Sequence, residues 1–275
     1  QVFEQPFAGL MGMMDDMSLH QNLIGQAGGV VRLNTPALLV DEAALDRNIA
    51  KMAGLAAAAG VKLRPHAKTH KCVTIAKKQQ AAGAIGNCCA KIGEAEALHA
   101  GGVSGLLITS PITSPPALER LALLAKDAPD LMLVVDNPLI ASATDAALAK
   151  VGAKLDVLID IDPGIARTGV ARPEDAAALA QHLAGLANLN WRGVQYYCGS
   201  QQHIEEYAER HSSMEGRAER LGEHLSALRD AGFEPEIISG SGTGTHHIDA
   251  ALGLFTEWQV GSYIFMDRQY QVCDL

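Results

Sequence analysis

"LRPHAKTHK" (residues 63–71) packs two histidines, two lysines and an arginine into nine residues. The "VKL" at its front reads as the start of a strand, and the "CVTIAKKQQAAG" behind it has helical spacing. Charge placed where a strand hands over to a helix is either a solvated loop or chemistry. The same handover recurs along the chain. After "VKLRPHAK" come "AIGNCCAK", "GLLITS", "LMLVVDN", "LDVLIDID", "WRGVQYY", "EPEIISG" and "EWQVGSY", most of them followed by a helical stretch such as "PPALERLALLAKDAP". Continuous apolar strands separated by crossovers suit a parallel sheet covered on both faces. Eight such units predict an α/β fold, a (β/α)8 TIM barrel, in preference to a doubly wound open sheet.

The composition agrees. The chain has 275 residues, 48% of them hydrophobic and only 4% aromatic, enough for one sizeable core dominated by small aliphatic side chains. With 22 basic and 31 acidic side chains the net charge is −9, which argues against a nucleic-acid partner. No apolar run approaches the roughly 20 residues that span a bilayer, so no membrane role is expected. Cys72, Cys88, Cys89, Cys198 and Cys273 are odd in number and lack CxxC spacing. Reduced thiols in a cytoplasmic enzyme fit that pattern better than a disulfide framework.

The two ends read differently from the middle. Residues 1–33 form an irregular N-terminal extension in which "GLMGMMDDM" has the look of a short amphipathic helix. "PALLVD" (36–41) reads as a ninth strand, surplus to the barrel, which either plugs its floor or pairs with a further domain. The chain opens on Gln1, with no signal-peptide pattern, and stops in apolar sequence, as expected of part of a longer protein.

In a (β/α)8 barrel the chemistry lies at the C-terminal ends of the strands. That rule selects His66 and Lys68, Ala90 and Lys91, Ser110, Asp136 and Asn137. It also selects Asp160, Asp162 and Arg167, then Tyr197 and His203, "SGSGTGT" (239–245) and "GSY" (261–263). Loops seven and eight commonly bind phosphate through backbone N–H groups, and Gly242, Gly244 and Gly261 with Thr243 and Ser262 lie in those loops. A flexible turn is the alternative reading. A phosphate site opposite a strand-one lysine is the constellation of a pyridoxal 5′-phosphate (PLP) barrel, with Lys68 as the covalent anchor. A salt-bridged lysine at the barrel mouth is its alternative. Lys71 falls past the strand, and Lys62 lies at the opposite end.

Taken together, "RPHAKTHK", "NCCAKIGEAEAL", "DPGIARTGV", "GVQYYCGSQQH", "SGSGTGT" and "EWQVGSYIFMD" resemble the fold-type III PLP family of D-threonine aldolase, 3-hydroxy-D-aspartate aldolase and eukaryotic-type D-serine dehydratase. The resemblance covers residues 34–270 and is stronger to the aldolases. It implies an alanine racemase-like N-terminal barrel with Lys68 as the Schiff-base lysine and Arg167 facing the pyridine nitrogen. Tyr197 would lie near the cofactor, and Gly242, Thr243, Gly244, Gly261 and Ser262 would hold its phosphate. His66 and His203 would sit near the reacting carbon or the phosphate, with a structural, hydrogen-bonded histidine the alternative for each. The implied function is cleavage of D-3-hydroxy amino acids such as D-threonine to glycine and an aldehyde. Dehydration of D-serine or 3-hydroxyaspartate, racemisation and a non-catalytic PLP-binding barrel are the rivals. The family also implies a homodimer and a C-terminal β-domain with a divalent metal (Mn, Mg or Zn). The metal is therefore expected only in a full-length chain, with no ligands within these residues; 271–275 would be the start of that domain. Three positions depart from the family pattern: Ala90 stands where the aldolases commonly have Gln, Ser241 where Gly is usual, and Thr245 where Ser is usual.

Overall fold

The computed structural model describes residues 20–275. The chain separates into two compact units, Gln1–Asp41 and Glu42–Leu275. In the first, two short 3-10 turns, Gln21–Leu23 and Gly29–Arg32, are the regular structure among the described residues. The expected amphipathic helix at "GLMGMMDDM" lies outside the described residues. The ninth strand expected at 36–41 does not form. Leu38, Leu39 and Val40 are exposed, and no strand ladder takes up their backbone. An apolar triplet alone does not make a strand without an edge to pair with.

The second unit opens with α1 (Glu42–Ala58), then β1 (Lys62–Leu63), α2 (Val73–Ala81), β2 (Cys88–Cys89) and α3 (Ile92–Ala100). It continues with β3 (Leu107–Ile108), α4 (Pro115–Asp127), β4 (Met132–Val135), α5 (Pro138–Val151), β5 (Leu155–Asp160) and α6 (Pro173–Ala184). The last units are β6 (Leu189–Tyr196), α7 (Tyr207–Asp230), β7 (Ile237–Gly240), α8 (His246–Leu252), β8 (Glu257–Trp258) and α9 (Arg268–Gln271). Proline at the first turn of α4, α5 and α6 costs no hydrogen bond there, and Asn137 caps α5 by accepting the Leu139 N–H at 2.9 Å. Among the described residues no helix is long and apolar enough to cross a membrane.

All eight strands are parallel, in the order β1-β8-β7-β6-β5-β4-β3-β2. A bridge between His66 and Cys88 joins the two ends of that order, with the Cys88 N–H donating to the Pro65 carbonyl at 2.8 Å. The barrel expected from the eight-fold rhythm therefore closes. Strand β1 is shorter than the "VKLRPHAK" stretch suggested, and Pro65 within it has no N–H to give to the ladder.

Side chains alternate across the wall. Leu107, Met132, Val134 and Leu158 form one buried cluster with Cys88, while their neighbours Ile108, Leu133, Val135, Val157 and Ile159 pack in the other, which includes the helix faces. Helix α4, for example, buries Leu118, Leu121 and Leu124, each of which contributes about 1.5–3 kcal/mol when fully buried. The rest of the barrel interior is polar. Arg64 donates from Nε and Nη2 to the two carboxylate oxygens of Glu257, both at 3.0 Å, and Nη1 donates to the Gly105 carbonyl. Ser239 adds a 2.6 Å hydrogen bond to Glu257, so the pair is buried with its polar atoms satisfied.

Candidate active site

Beyond Leu63 the chain turns into a short 3-10 turn, Ala67–Thr69, which carries Lys68 to the C-terminal mouth of the barrel. His66 caps that turn. Its Nδ1 accepts the Lys68 backbone N–H at 3.3 Å, and its Nε2 lies 3.1 Å from Thr109 Oγ1. Since Nδ1 accepts, Nε2 carries the proton, and Thr109 passes its own proton on to the Cys89 carbonyl at 3.1 Å. Burial, then the nearby charges of Lys68 and Arg167, hold the His66 pKa well below its ordinary value, so the ring is neutral.

Lys68 and Lys71 have different surroundings. Lys71, at φ 48, returns its ammonium to the Lys68 carbonyl at 3.0 Å and to Glu94 at 2.9 Å. Glu94 in turn accepts the Ala90 N–H at 2.7 Å. Lys71 thus ties the turn to the end of β2. Lys68 instead lines a pocket with His66, Arg167 and Tyr197. Its Nζ lies 5.4 Å from the centre of the Tyr197 ring, and the Arg167 guanidinium carbon lies 5.5 Å from the same centre. Partial desolvation and then Arg167 lower the Lys68 pKa, although the side chain still reaches solvent. Ala90, Thr109, Ser110, Gln195 and Gln259 complete the lining, which includes no carboxylate. Two cations facing one cavity without a counter-charge make it a site for an anionic ligand.

The phosphate-loop residues gather beside this pocket. Gly261 packs on His66, where an added Cβ would meet the His66 Cβ at 3.2 Å. Thr243 Oγ1 accepts the Tyr263 N–H at 3.0 Å. The Tyr270 hydroxyl meets the hydroxyls of Ser262 and Thr243, and burial raises its pKa to about 12. His203 packs against Tyr270 with ring centres 4.6 Å apart and planes tilted by 46°, exposed and outside the pocket that Lys68 lines. Gly242 and Gly244 are glycines for a reason that the sequence did not show. A Cβ on Gly242 would lie 2.3 Å from the Gln202 amide, and one on Gly244 would lie 2.0 Å from the Gln202 carbonyl oxygen. Gln202 also accepts the Gly244 N–H at 2.9 Å and donates to Thr245, whose hydroxyl donates to Asp249 at 2.7 Å. Burial raises the Asp249 carboxyl to about 7, opposed by the Ser241 and Thr245 hydroxyls beside it.

Gly244 therefore has no N–H to spare for an anion. Among the described residues, however, the N–H groups of Gly242, Thr243, Gly261 and Ser262 find no protein acceptor. Unpaired backbone donors at two adjoining glycine loops are the arrangement that a phosphate monoester requires. Lys68, Arg167 and Tyr197 flank the neighbouring cavity, so the donor set fits PLP.

Residues 40–269 match the family described as the alanine racemase N-terminal domain. The chain belongs to that family. Among the relatives of this alanine racemase-type barrel is a 3-hydroxy-D-aspartate aldolase of Paracoccus denitrificans, 36% identical over 86% of this chain and 62% of its own. A D-threonine aldolase of Arthrobacter is 39% identical over 88% of this chain and 63% of its own. The crystal structure of D-threonine aldolase from Filomicrobium marinum superposes with a TM-score of 0.86 at 37% identity, over 88% of this chain and 66% of that one. The chain thus spans under two thirds of the length of these two curated relatives. Both the resemblance seen in the motifs and the barrel they imply are borne out.

Sequence reading missed Thr109, Gln195, Gln259, Gln202 and Tyr270. The signal for three of them was present: Thr109, Gln195 and Gln259 are polar residues at or just beyond the ends of apolar strands, where inward positions are costly to leave unused. Gln202, in the 3-10 turn Ser200–His203, and Tyr270, in α9, follow no strand directly and carried none.

Proposed function

We propose that this barrel binds PLP and serves a carbon–carbon lyase that cleaves D-3-hydroxy amino acids to glycine and an aldehyde. The observation that carries the reading is the pair of cations, Lys68 and Arg167, on one aromatic ring in a pocket lined by no carboxylate. The 36–39% identity to two aldolases over most of the chain supports the reaction class. When bound, the cofactor supplies an electron sink conjugated to the substrate's α-carbon.

The chain's own residues would do the rest. Lys68 Nζ would anchor the cofactor's carbonyl carbon, and its lowered pKa makes the free amine more accessible. Arg167 would donate to the ring nitrogen, and because it does not give up its proton it would leave that nitrogen unprotonated. Tyr197 would pack near the ring. Thr243, Ser262 and the free N–H groups of Gly242 and Gly261 would hold the phosphate, with Gly244 fixing the loop's shape. Cleavage requires removal of the β-hydroxyl proton. His66 is poorly placed to take it, since both ring nitrogens are committed. Of these two histidines, His203 has no hydrogen-bond partner among the described residues, so its ring nitrogens are uncommitted. A divalent metal at the β-hydroxyl and homodimeric assembly are parts of the same proposal, argued from the resemblance to the aldolases, and cytoplasmic location is argued from the five free cysteines.

The test is to add PLP, reduce with borohydride and map the modified peptide, then assay D-threonine and 3-hydroxy-D-aspartate for aldehyde with and without Mn²⁺. Modification at Lys68 with aldehyde release is the expected result. Ammonia and a keto acid would assign dehydration instead, and no PLP capture would end the reading.

A further inference from the structure

Arg167 sits on a loop that the barrel holds closed. The Val170 N–H donates to the Asp160 carbonyl and the Asp162 N–H to the Val170 carbonyl, both at 2.9 Å. Gly169, at φ +101, lies flat on the strand end, where a Cβ would meet the Asp162 nitrogen at 2.6 Å. Asp162 Oδ1 accepts the N–H groups of Gly164, Ile165 and Ala166 at 2.9–3.1 Å, and Asp136 accepts that of Gly169 at 3.0 Å. From outside, Arg217 donates to the Pro163 carbonyl, and Arg220 donates to those of Asp162 and Ala171. These bonds fix the backbone on both sides of Arg167. One side-chain bond goes inward: Thr168 Oγ1 donates to Asp160 Oδ2 at 2.7 Å.

Asp160 is 2% exposed and is not among the pocket-lining residues. Its other oxygen, Oδ1, accepts from Gln195 Nε2 at 2.8 Å. With that amide's hydrogens given to Asp160 and to the Thr109 carbonyl, Gln195 Oε1 accepts from Gln259 Nε2 at 3.1 Å, and Gln259 Nε2 also donates to Ser239 at 2.8 Å. Ser239 closes the chain on Glu257. A carboxylate at each end therefore sets the direction of both amides, and Gln195 and Gln259 are the pocket's floor. The two oxygens of Asp160 thus join the floor to the Arg167 loop.

We propose that Asp160 and Thr168 are positioning residues: they hold Arg167 over the pocket floor at the height where it meets the cofactor ring. The inference rests on the PLP reading above. The groups facing Asp160 are Gln195, Thr168, Arg167 and Asp136, and burial raises its carboxyl to about 6, so at pH 8 it is the ionised acceptor the geometry requires.

The experiment is a double-mutant cycle read as PLP affinity by absorbance titration at pH 8. Thr168→Val should weaken PLP binding about tenfold, the loss expected for a bond to a charged group. Thr168→Ser, which keeps the donor, should restore affinity to within about twofold. In an Arg167→Ala background Thr168→Val should change nothing further, because its effect passes through Arg167. The melting temperatures of the apo proteins, measured alongside, separate loosening of the loop from general loss of fold. Equal losses in both backgrounds, no rescue by serine, or an unchanged affinity for Thr168→Val would each overturn the positioning role. Absence of PLP capture by the unmutated chain is a separate result, and it would remove the cofactor reading and this inference together.

Discussion

His66 Nδ1 accepts the backbone N–H of Lys68, so one imidazole both caps the turn and orients the residue that follows it two positions on. Its pKa is depressed, chiefly by burial and then by Lys68 and Arg167. The folded state therefore binds fewer protons at this site than the unfolded chain. Stability from His66 is present above the ordinary histidine pKa and is lost as pH falls below it. Asparagine caps well but does not titrate there. His66→Asn should thus gain stability relative to the unmutated chain as pH falls from 7 to 5, a difference in which Asp160, present in both, cancels. Urea unfolding at several pH values checks this, and a difference independent of pH would mean that the His66 ring titrates alike in the folded and unfolded chains.

Gly244 and Gly242 should respond differently to alanine. The Gly244 Cβ would strike a backbone oxygen at 2.0 Å, which cannot move without reshaping the 3-10 turn at Ser200–His203. The Gly242 Cβ would strike the Gln202 side chain at 2.3 Å, which can be shortened. Overpacking of this kind costs about 1–3 kcal/mol or more. Gly242→Ala should recover part of its lost melting temperature when combined with Gln202→Ala, and Gly244→Ala should not. Equal rescue of both would show that the Gln202 side chain, not its backbone, sets the loop.

The barrel was legible because its strands are uninterrupted apolar runs and its helices are bounded by proline and glycine, signals that act over a few residues. The strand-end rule then brought Lys68, His66, Arg167 and Tyr197 together by position alone. Pair relationships were not legible. Nothing in "SGSGTGT" says that Gln202, some 40 residues earlier, sets the shape of that loop. "PALLVD" looked like a strand because hydrophobicity is local, whereas a strand exists only with an edge to pair with. A sequence shows the His66 imidazole but not that both of its nitrogens are spoken for.

Arg64 and Glu257 form a buried bidentate pair that joins β1 to β8. Removing one partner leaves the other charge buried and alone, a loss of about 3–5 kcal/mol. Arg64→Met should therefore unfold at much lower denaturant than the unmutated chain. Replacing both, as Arg64→Met with Glu257→Leu, should recover most of that loss, since an apolar pair has no charge to desolvate. A double variant no better than the single would mean that the Gly105 carbonyl and Ser239 depend on the ions themselves.

Ser241 stands where the aldolase pattern usually has glycine, and its backbone is left-handed at φ 69. A side chain in that region costs roughly 1–2 kcal/mol. Its hydroxyl offers little in return, being buried without a well-directed hydrogen bond. Ser241→Gly relieves the backbone but frees the unfolded chain, which takes back about 0.5–1 kcal/mol. The difference favours glycine by up to about 1 kcal/mol. Ser241→Gly should therefore raise the melting temperature by a few degrees and leave PLP affinity equal or better, since the neighbouring Gly242 and Thr243 N–H groups keep their direction. The opposing contribution is Asp249, whose raised carboxyl is eased by the Ser241 hydroxyl beside it. If that contact outweighs the backbone strain, the variant will instead be less stable than the unmutated chain, by more at pH 8, where Asp249 is ionised, than at pH 6. Comparing the two pH values therefore decides whether the serine is a tolerated strain or a partner that the Asp249 carboxylate needs.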